Sequence, residues 1–197
     1  MNPPIEREIK LALDREVHLP DLTFLGYQVE DLGVIEFVGH YWDTRALDLM
    51  RAQLGLRRRV GLGWTFKGRS SMEGLAVVRT ERNWPDAEQV PTEIEELVKD
   101  AVEERSLEVV ASIQTRRRRM KLLAEGSRPL LEIDDDLVTV LDGGTPVGAF
   151  REVEIELLDE EAAQLAARVA DELIRSGASA HTTPKYLRAL QLLGKIA

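Results

Sequence analysis

Apolar and polar residues alternate from the start of the chain. In Ile5-Glu6-Arg7-Glu8-Ile9-Lys10-Leu11-Ala12-Leu13 the period is two, so on a β-strand Glu6, Glu8 and Lys10 share one face and Ile5, Ile9 and Leu11 the other. Further runs rich in β-branched and aromatic residues predict strands over 34–44, 55–60, 64–67, 77–84, 107–123, 130–141 and 147–158. Gly61-Leu62-Gly63 and Asp142-Gly143-Gly144 read as hairpin turns, and 68–74 reads as a loop. A short helix opens at Asp21, and 47–54 reads as a short helix or turn. Thr92-Glu93-Ile94-Glu95 fits a capping box for a helix running to about 105. Amphipathic 160–175, stopped by Gly177, and 184–193 complete the helices. About eight strands in meander-like succession predict an α+β fold with a largely antiparallel sheet, as one domain over 1–197.

Composition narrows the classes. The formal net charge of −9 argues against wholesale binding of nucleic acid or an anionic membrane. There is no cysteine, and His18, His40 and His181 lack the spacing of metal ligands. Met1-Asn2-Pro3-Pro4 opens no leader-like run, and no apolar stretch is long enough to span a bilayer, so a soluble cytoplasmic protein is expected. Within this acidic chain, Arg57-Arg58-Arg59 and Arg116-Arg117-Arg118-Arg119 are dense basic islands that call for anions.

The pleat sorts these charges. Arg57 and Arg59 share a face, as do Thr65 and Lys67, Arg79 and Glu81, Arg116 and Arg118, Glu132, Asp134 and Asp136, and Glu152, Glu154 and Glu156. Two arrangements accommodate this pattern. One is a sandwich with a wet, charged exterior. The other is a barrel with the charged faces inward, and it accounts for the segregation by sign: carboxylates on the first and last strands, arginine and lysine on the middle ones. In a barrel the terminal strands adjoin, gathering Glu6, Glu8, Glu152 and Glu154 where they could hold one or two divalent cations. The basic strands would face them, an arrangement suited to a phosphate chain, with Lys10 and Lys185 adding point charges. The amphipathic helices would then cover the outside.

Seven motifs in order, Glu6-Arg7-Glu8-Ile9-Lys10, Tyr41-Trp42-Asp43-Thr44, Leu56-Arg57-Arg58-Arg59, Trp64-Thr65-Phe66-Lys67, Arg79-Thr80-Glu81, Glu152-Val153-Glu154 and Lys185-Tyr186, resemble the CYTH domain of the triphosphate tunnel metalloenzyme superfamily. The resemblance implies an eight-stranded antiparallel β-barrel, a tunnel with helices packed outside and a C-terminal helix, that acts on a small-molecule triphosphate with Mg²⁺ or Mn²⁺. Carried over by position, Glu6, Glu8, Asp136, Glu152 and Glu154 form the metal side. Lys10, Arg57, Arg59, Lys67, Arg79, Arg116, Arg118 and Lys185 cradle the substrate, and Glu81 orients arginines. Glu6, Glu8, Lys10 and Glu81 are the catalytic candidates, and Arg117 and Arg119 are expected outside. Two departures stand out: Trp42 replaces a second tyrosine, and Pro184 precedes the late lysine where serine is usual. Asp43 suits a lumenal or a capping role equally.

The resemblance leaves several activities open. Hydrolysis of inorganic tripolyphosphate is the leading expectation, because no sequence feature points to a base pocket. Class IV adenylate cyclase and thiamine or nucleoside triphosphatase share the same motifs. A non-catalytic polyphosphate or nucleotide binder is the alternative of another class, and an RNA-binding module is disfavoured by the acidity.

Overall fold

A computed structural model describes residues 4–197; the leader reading at Met1 to Pro3 lies outside the described residues. In chain order the elements are β1 (Ile5–Leu13), a 3-10 turn (Leu22–Leu25), β2 (Gln28–Asp43), α1 (Asp48–Arg51), β3 (Gly55–Arg59), β4 (Gly63–Glu73), β5 (Ala76–Trp84) and α2 (Thr92–Val102). There follow β6 (Glu108–Leu123), β7 (Pro129–Asp142), β8 (Thr145–Leu157), α3 (Ala163–Arg175), β9 (Ser179–Ala180) and α4 (Lys185–Leu192). The sheet order is β5-β4-β3-β2-β6-β7-β8-β1-β9, and β1 also pairs with β5, closing eight antiparallel strands into a barrel. The first half of β1, Ile5 to Glu8, seals against β5. Along its second half Leu11 and Ala12 pair with the two-residue β9 instead.

The barrel inverts the usual arrangement, with apolar faces outward and charged faces inward. Ile9, Leu11, Leu131, Ile133, Val153 and Ile155 point outward beneath α3, whose Leu165, Val169 and Leu173 are buried against them. Each such full burial contributes ~1.5–3 kcal/mol. Leu56, Trp64 and Phe66 point outward beneath Ile94, Val98 and Val102 of α2. Trp42, which replaces the second tyrosine, packs on Trp64 on this outer face, ring centroids 5.3 Å apart. A third apolar cluster lies inside one end of the barrel. There Tyr41, Ile113, Val138, Val140 and Phe150 meet Ala189 and Leu190 of α4. Thus α4 plugs that end instead of lying on the outer wall. Leu192 approaches so closely that a Cβ on Gly148 would sit 3.1 Å from its methyls.

Several boundaries differ from the sequence reading. The 68–74 loop is strand, because β4 runs to Glu73 with a bulge between Lys67 and Ser70. Glycine is required at the bulge, since a Cβ on Gly68 would lie 2.3 Å from Thr80 Oγ1. β2 begins at Gln28, ahead of the strand expected from Val34, where Gln28, Val29 and Glu30 pair with Leu123, Leu122 and Lys121 of β6. Thr92 is the first helical residue, not a cap; the Pro91 carbonyl accepts from the amides of Ile94 and Glu95. At 160–175 a 3-10 turn, Glu160–Ala162, precedes the α-helix.

Asp43 takes the capping role. Its carboxylate is buried and accepts from the amides of Thr44 (2.7 Å), Leu49 (2.8 Å) and Met50 (2.9 Å), fixing α1 to the end of β2. Asp48 continues this network. It accepts from Thr44 Oγ1 and from Arg105, which turns back past the end of α2, and it also pairs with Arg51. These partners, the Thr44 hydroxyl foremost, hold its carboxyl down at about 2. A carboxyl depressed in the folded state stabilises the fold above its unfolded value near 3.8 and loses that contribution as pH falls toward 2. Asp48→Asn should therefore lower the melting temperature at pH 7, and the gap from wild type should close between pH 4 and pH 2. Thermal melts across that range check it, and a pH-independent gap would contradict it.

Candidate functional site

The lumen between α4 and the open end carries the candidate site. From β7, β8 and β1 come Asp134, Asp136, Glu152, Glu154, Glu6 and Glu8, and from β3 to β6 come Arg57, Arg59, Lys67, Arg79, Arg117 and Arg119. Asp136 and Glu152 are completely buried, and Glu8, Lys10 and Lys185 nearly so. Burying this many charges requires close pairing. Lys185 Nζ stands 3.0 Å from Asp136, 2.6 Å from Glu152 and 2.8 Å from Glu154. Lys10 pairs with Glu154 and, at 3.1 Å, with Glu8. Arg79 pairs with Glu6 at 2.7 Å and with Glu8, and Lys67 lies 2.8 Å from Glu6 and 2.9 Å from Glu81. Despite Pro184 before it, Lys185 reaches the deepest part of the lumen.

The arginine run of β6 has the opposite parity to that expected. Arg117 points inward, donating to Asp136 and to Glu154 (3.0 Å) and pairing with Asp134, and Arg119 donates to Glu132. Arg116 and Arg118 are the outer pair. They are 59% and 49% exposed and meet Glu36 and Asp31 at the surface. Met120 and Leu122 set this phase: they share the face of Arg116 and Arg118 and belong to the apolar cluster under α3, and in this barrel apolar means outward. Glu81 is also reassigned. It pairs with Lys67 and accepts from Asn83 at 3.0 Å, orienting a lysine and not an arginine. Burial opposes its charge, but Lys67 wins and brings the carboxyl down to about 2.

Two lumenal guanidiniums have no carboxylate. Arg57 and Arg59 make no ion pair among the described residues, and the Nε of each is buried without a partner. Repulsion from Arg57, then burial, then Arg117 pulls Arg59 down to about 10. Arg59 and Arg117 also lie over the ring of Phe37, at 5.7 and 5.8 Å. Three guanidiniums held together, two of them unneutralised, make a positive hole that an anion with several oxygens would relieve. A cavity of about 330 Å³ opens beside it, lined by the charged Lys10, Arg57, Lys67, Arg79, Glu154 and Lys185. Tyr41, Met50, Leu54, Met72 and Tyr186 add apolar surface to its lining.

Sequence reasoning also missed Glu132, Asp134, His181 and Arg188. Glu132 and Asp134 lay on a recognised face without an assigned role. Arg188 approaches Glu152 at 3.2 Å while stacking 3.8 Å over Phe150, and His181 Nε2 lies 3.8 Å from Glu152. Helical spacing from Lys185 was the available signal for Arg188; none pointed to His181.

Carboxylate oxygens suit Mg²⁺ or Mn²⁺. As arranged, however, the set Glu6, Glu8, Asp136, Glu152 and Glu154 does not fit a divalent ion. Among the described residues no group of three acidic or histidine side chains is open to a metal ion: Lys185 occupies the point that Asp136, Glu152 and Glu154 surround, and Lys10 and Arg79 pair with the rest.

A closed antiparallel barrel with both signs of charge turned inward defines the class, and the comparisons give the family. The CYTH domain model matches residues 4–183, so the chain belongs to the CYTH family, whose members are in general metal-dependent. It is 31% identical over 159 residues to an uncharacterized protein of Mycobacterium tuberculosis, found in strains CDC 1551 / Oshkosh and ATCC 25618 / H37Rv. That match covers 71% of this chain but 30% of the relative, so the chain spans about a third of the length of the curated relatives it matches. Among solved structures, the fold is similar to a Hippeastrum protein described as a "putative adenylyl cyclase" that "reveals a dominant" triphosphatase activity. The TM-score is 0.60 at 18% identity, covering 98% of this chain and 97% of that one. A "putative adenylate cyclase" from Bacillus halodurans gives a TM-score of 0.63 at 17% identity, covering 95% and 98%. No helix among the described residues is long and apolar enough to cross a membrane.

The parity of β6 yields a prediction. Arg117→Ala strands Asp134 and Asp136 as buried, under-compensated charges and should cost ~3–5 kcal/mol in denaturant unfolding. Arg116→Ala should stay within ~0.5 kcal/mol of wild type. Equal costs for the two would overturn the inward placement of Arg117.

Proposed function

We propose that this chain is a triphosphatase, hydrolysing the phosphoanhydride of a small-molecule triphosphate in its lumen. The observation that carries this reading is the pair of unneutralised guanidiniums, Arg57 and Arg59, beside a cavity lined by Lys10, Lys67, Arg79 and Lys185. The triphosphatase activity described for the Hippeastrum relative agrees with it.

Such chemistry asks mainly for positioning and charge. Arg57 and Arg59 grip one end of the phosphate chain in bidentate fashion. Lys67 and Arg79, aimed by Glu6, Glu8 and Glu81, hold its middle and offset the charge that develops on the leaving oxygen. Lys10 and Lys185 bracket the end nearest the acidic wall, where a water attacks in line. The partner is a small molecule, with neither nucleic acid nor membrane involved, and the setting is cytoplasmic. Mg²⁺ or Mn²⁺ is the proposed ion, and it would enter with the phosphate chain, since the acidic set as arranged offers it no open site.

Inorganic tripolyphosphate needs only the charged residues of the cavity. Its apolar lining favours a second reading, in which Tyr41, Met50, Leu54 and Tyr186 receive an organic group attached to the triphosphate. Phosphate release from tripolyphosphate, ATP and thiamine triphosphate, each with Mg²⁺, with Mn²⁺ and with chelator, decides between them. Metal-dependent release is expected, and no release from any of the three would overturn the proposal. In the same assay Arg57→Ala should raise KM roughly 10- to 100-fold, the loss of one charge-assisted bidentate contact. An unchanged KM would remove Arg57 from the substrate.

A further inference from the structure

The lumenal faces of β4 and β5 carry a continuous polar rail. Antiparallel register sets Thr65 opposite Asn83 and Lys67 opposite Glu81, and period two turns all four side chains to the same face. Successive rungs stand about 6.6 Å apart along a strand, too far for short side chains to meet without a bridge. Asn83 is that bridge. Thr65 Oγ1 donates to Asn83 Oδ1 at 2.8 Å, Asn83 Nδ2 donates to Glu81 Oε1 at 3.0 Å, and Glu81 Oε2 lies 2.9 Å from Lys67 Nζ. Chemistry fixes the direction of the amide: an ionised carboxylate only accepts, so the NH₂ group faces Glu81 and the carbonyl oxygen is left for the hydroxyl. Thr65 is 1% exposed and anchors the rail in the barrel wall, whereas Asn83 is exposed.

The rail ends on a lysine with a competing partner. Lys67 Nζ stands 2.8 and 3.0 Å from the two oxygens of Glu6 on β1 as well as 2.9 Å from Glu81, so carboxylates of two strands share it. Directly after Lys67 the β4–β5 register breaks at the bulge and resumes only at Ser70. If Glu81 is left unsteadied, the ammonium settles on Glu6 and turns from the cavity it lines. We propose that Asn83 is a positioning residue: it fixes the rotamer of Glu81, and Glu81 in turn keeps the Lys67 ammonium facing the bound phosphate chain. The inference rests on the reading of the lumen as a triphosphatase site. Asn83 does not itself line the cavity and acts through its neighbours. Because charge develops on the leaving oxygen in the transition state, a misplaced Lys67 costs turnover more than ground-state binding, which Arg57 and Arg59 secure.

The test compares wild type with Asn83→Ala and the isosteric Asn83→Asp, first without ligand and then during turnover. Asn83 is exposed, so both variants should fold. In the free protein, NMR relaxation of the Lys67 side chain in lysine-labelled samples, assigned with Lys67→Met, should report a more mobile ammonium in both variants. In phosphate release from tripolyphosphate, ATP and thiamine triphosphate with Mg²⁺, kcat should fall roughly tenfold while KM changes less than about threefold. Asn83→Asp keeps the acceptor for Thr65 but sets a second carboxylate beside Glu81, so it should be at least as slow as Asn83→Ala. A role confined to satisfying Thr65 would make it the milder of the two. Added to Lys67→Met, Asn83→Ala should cost nothing further, since its effect passes through the lysine. Unchanged Lys67 mobility in both variants, or a full additional loss in the Lys67→Met background, would overturn the proposal. The two ideas fail separately. If wild type releases phosphate and Lys67 is equally ordered in all three proteins, the triphosphatase reading stands and the Asn83 proposal falls. If both variants loosen Lys67 but wild type releases phosphate from none of the three compounds, Asn83 positions the lysine and the triphosphatase reading falls.

Discussion

Neutralisation of charge inside a closed wall is the constraint on which this fold depends. Each carboxylate turned into the lumen must meet a cation within about 3 Å or it would not stay ionised there. The strands meet this demand by sign. β7, β8 and β1 carry the acids, β3 and β6 the arginines, and β1, β4, β5 and α4 add cations that reach into the acids. Burial alone would push Glu154 toward its neutral form, but Lys10, Lys185 and Arg117 hold it well below the usual carboxylate range. Asp134, whose charge is matched less well, is carried up by burial to about 7. The two are neighbours on paired strands, so the difference follows the placement of cations and not depth.

The remaining architecture serves that lumen. With polar groups inside, the apolar faces must be covered from outside, and α2 and α3 do this over two separate patches. α4 has a different task. It stops one end of the barrel with Ala189 and Leu190 and brings Lys185 to the acids. Asp43 and Asp48 anchor α1, whose Met50, with Leu54 just beyond it, forms the apolar rim of the cavity. The basic pocket and the apolar recess are thus set by different elements, which leaves the recess able to vary while the charges stay fixed.

Much of this was legible in the sequence. Period-two alternation correctly placed the inward faces of β1, β3, β5, β7 and β8, because each carries interleaved apolar or opposite-sign residues that mark the phase. β6 failed for a physical reason: four consecutive arginines have no period, and the phase is set by Met120 and Leu122 at the far end of the strand. The bulged half of β4 and the start of β2 were invisible because their partners, not their own residues, make them strands. The plugging role of α4 was hidden as well, since an amphipathic pattern announces that a helix packs but not against which surface. The apolar recess joins residues of α1, β2, β4 and α4, and no local motif encodes it.

The seam between β1 and β5 has a temporal meaning. Ile5 to Glu8 meet Val77 to Thr80 there, while the other edge of β1 meets β8 some 145 residues later in sequence. Glu6, near the start of the described chain, and Lys185, near its end, are both required before the lumenal charges balance. During synthesis the chain therefore carries its arginines and acids unmatched for most of its length. It cannot acquire a binding site by halves, and any fragment that stops short of β8 leaves a strongly charged, open sheet whose edges invite other strands.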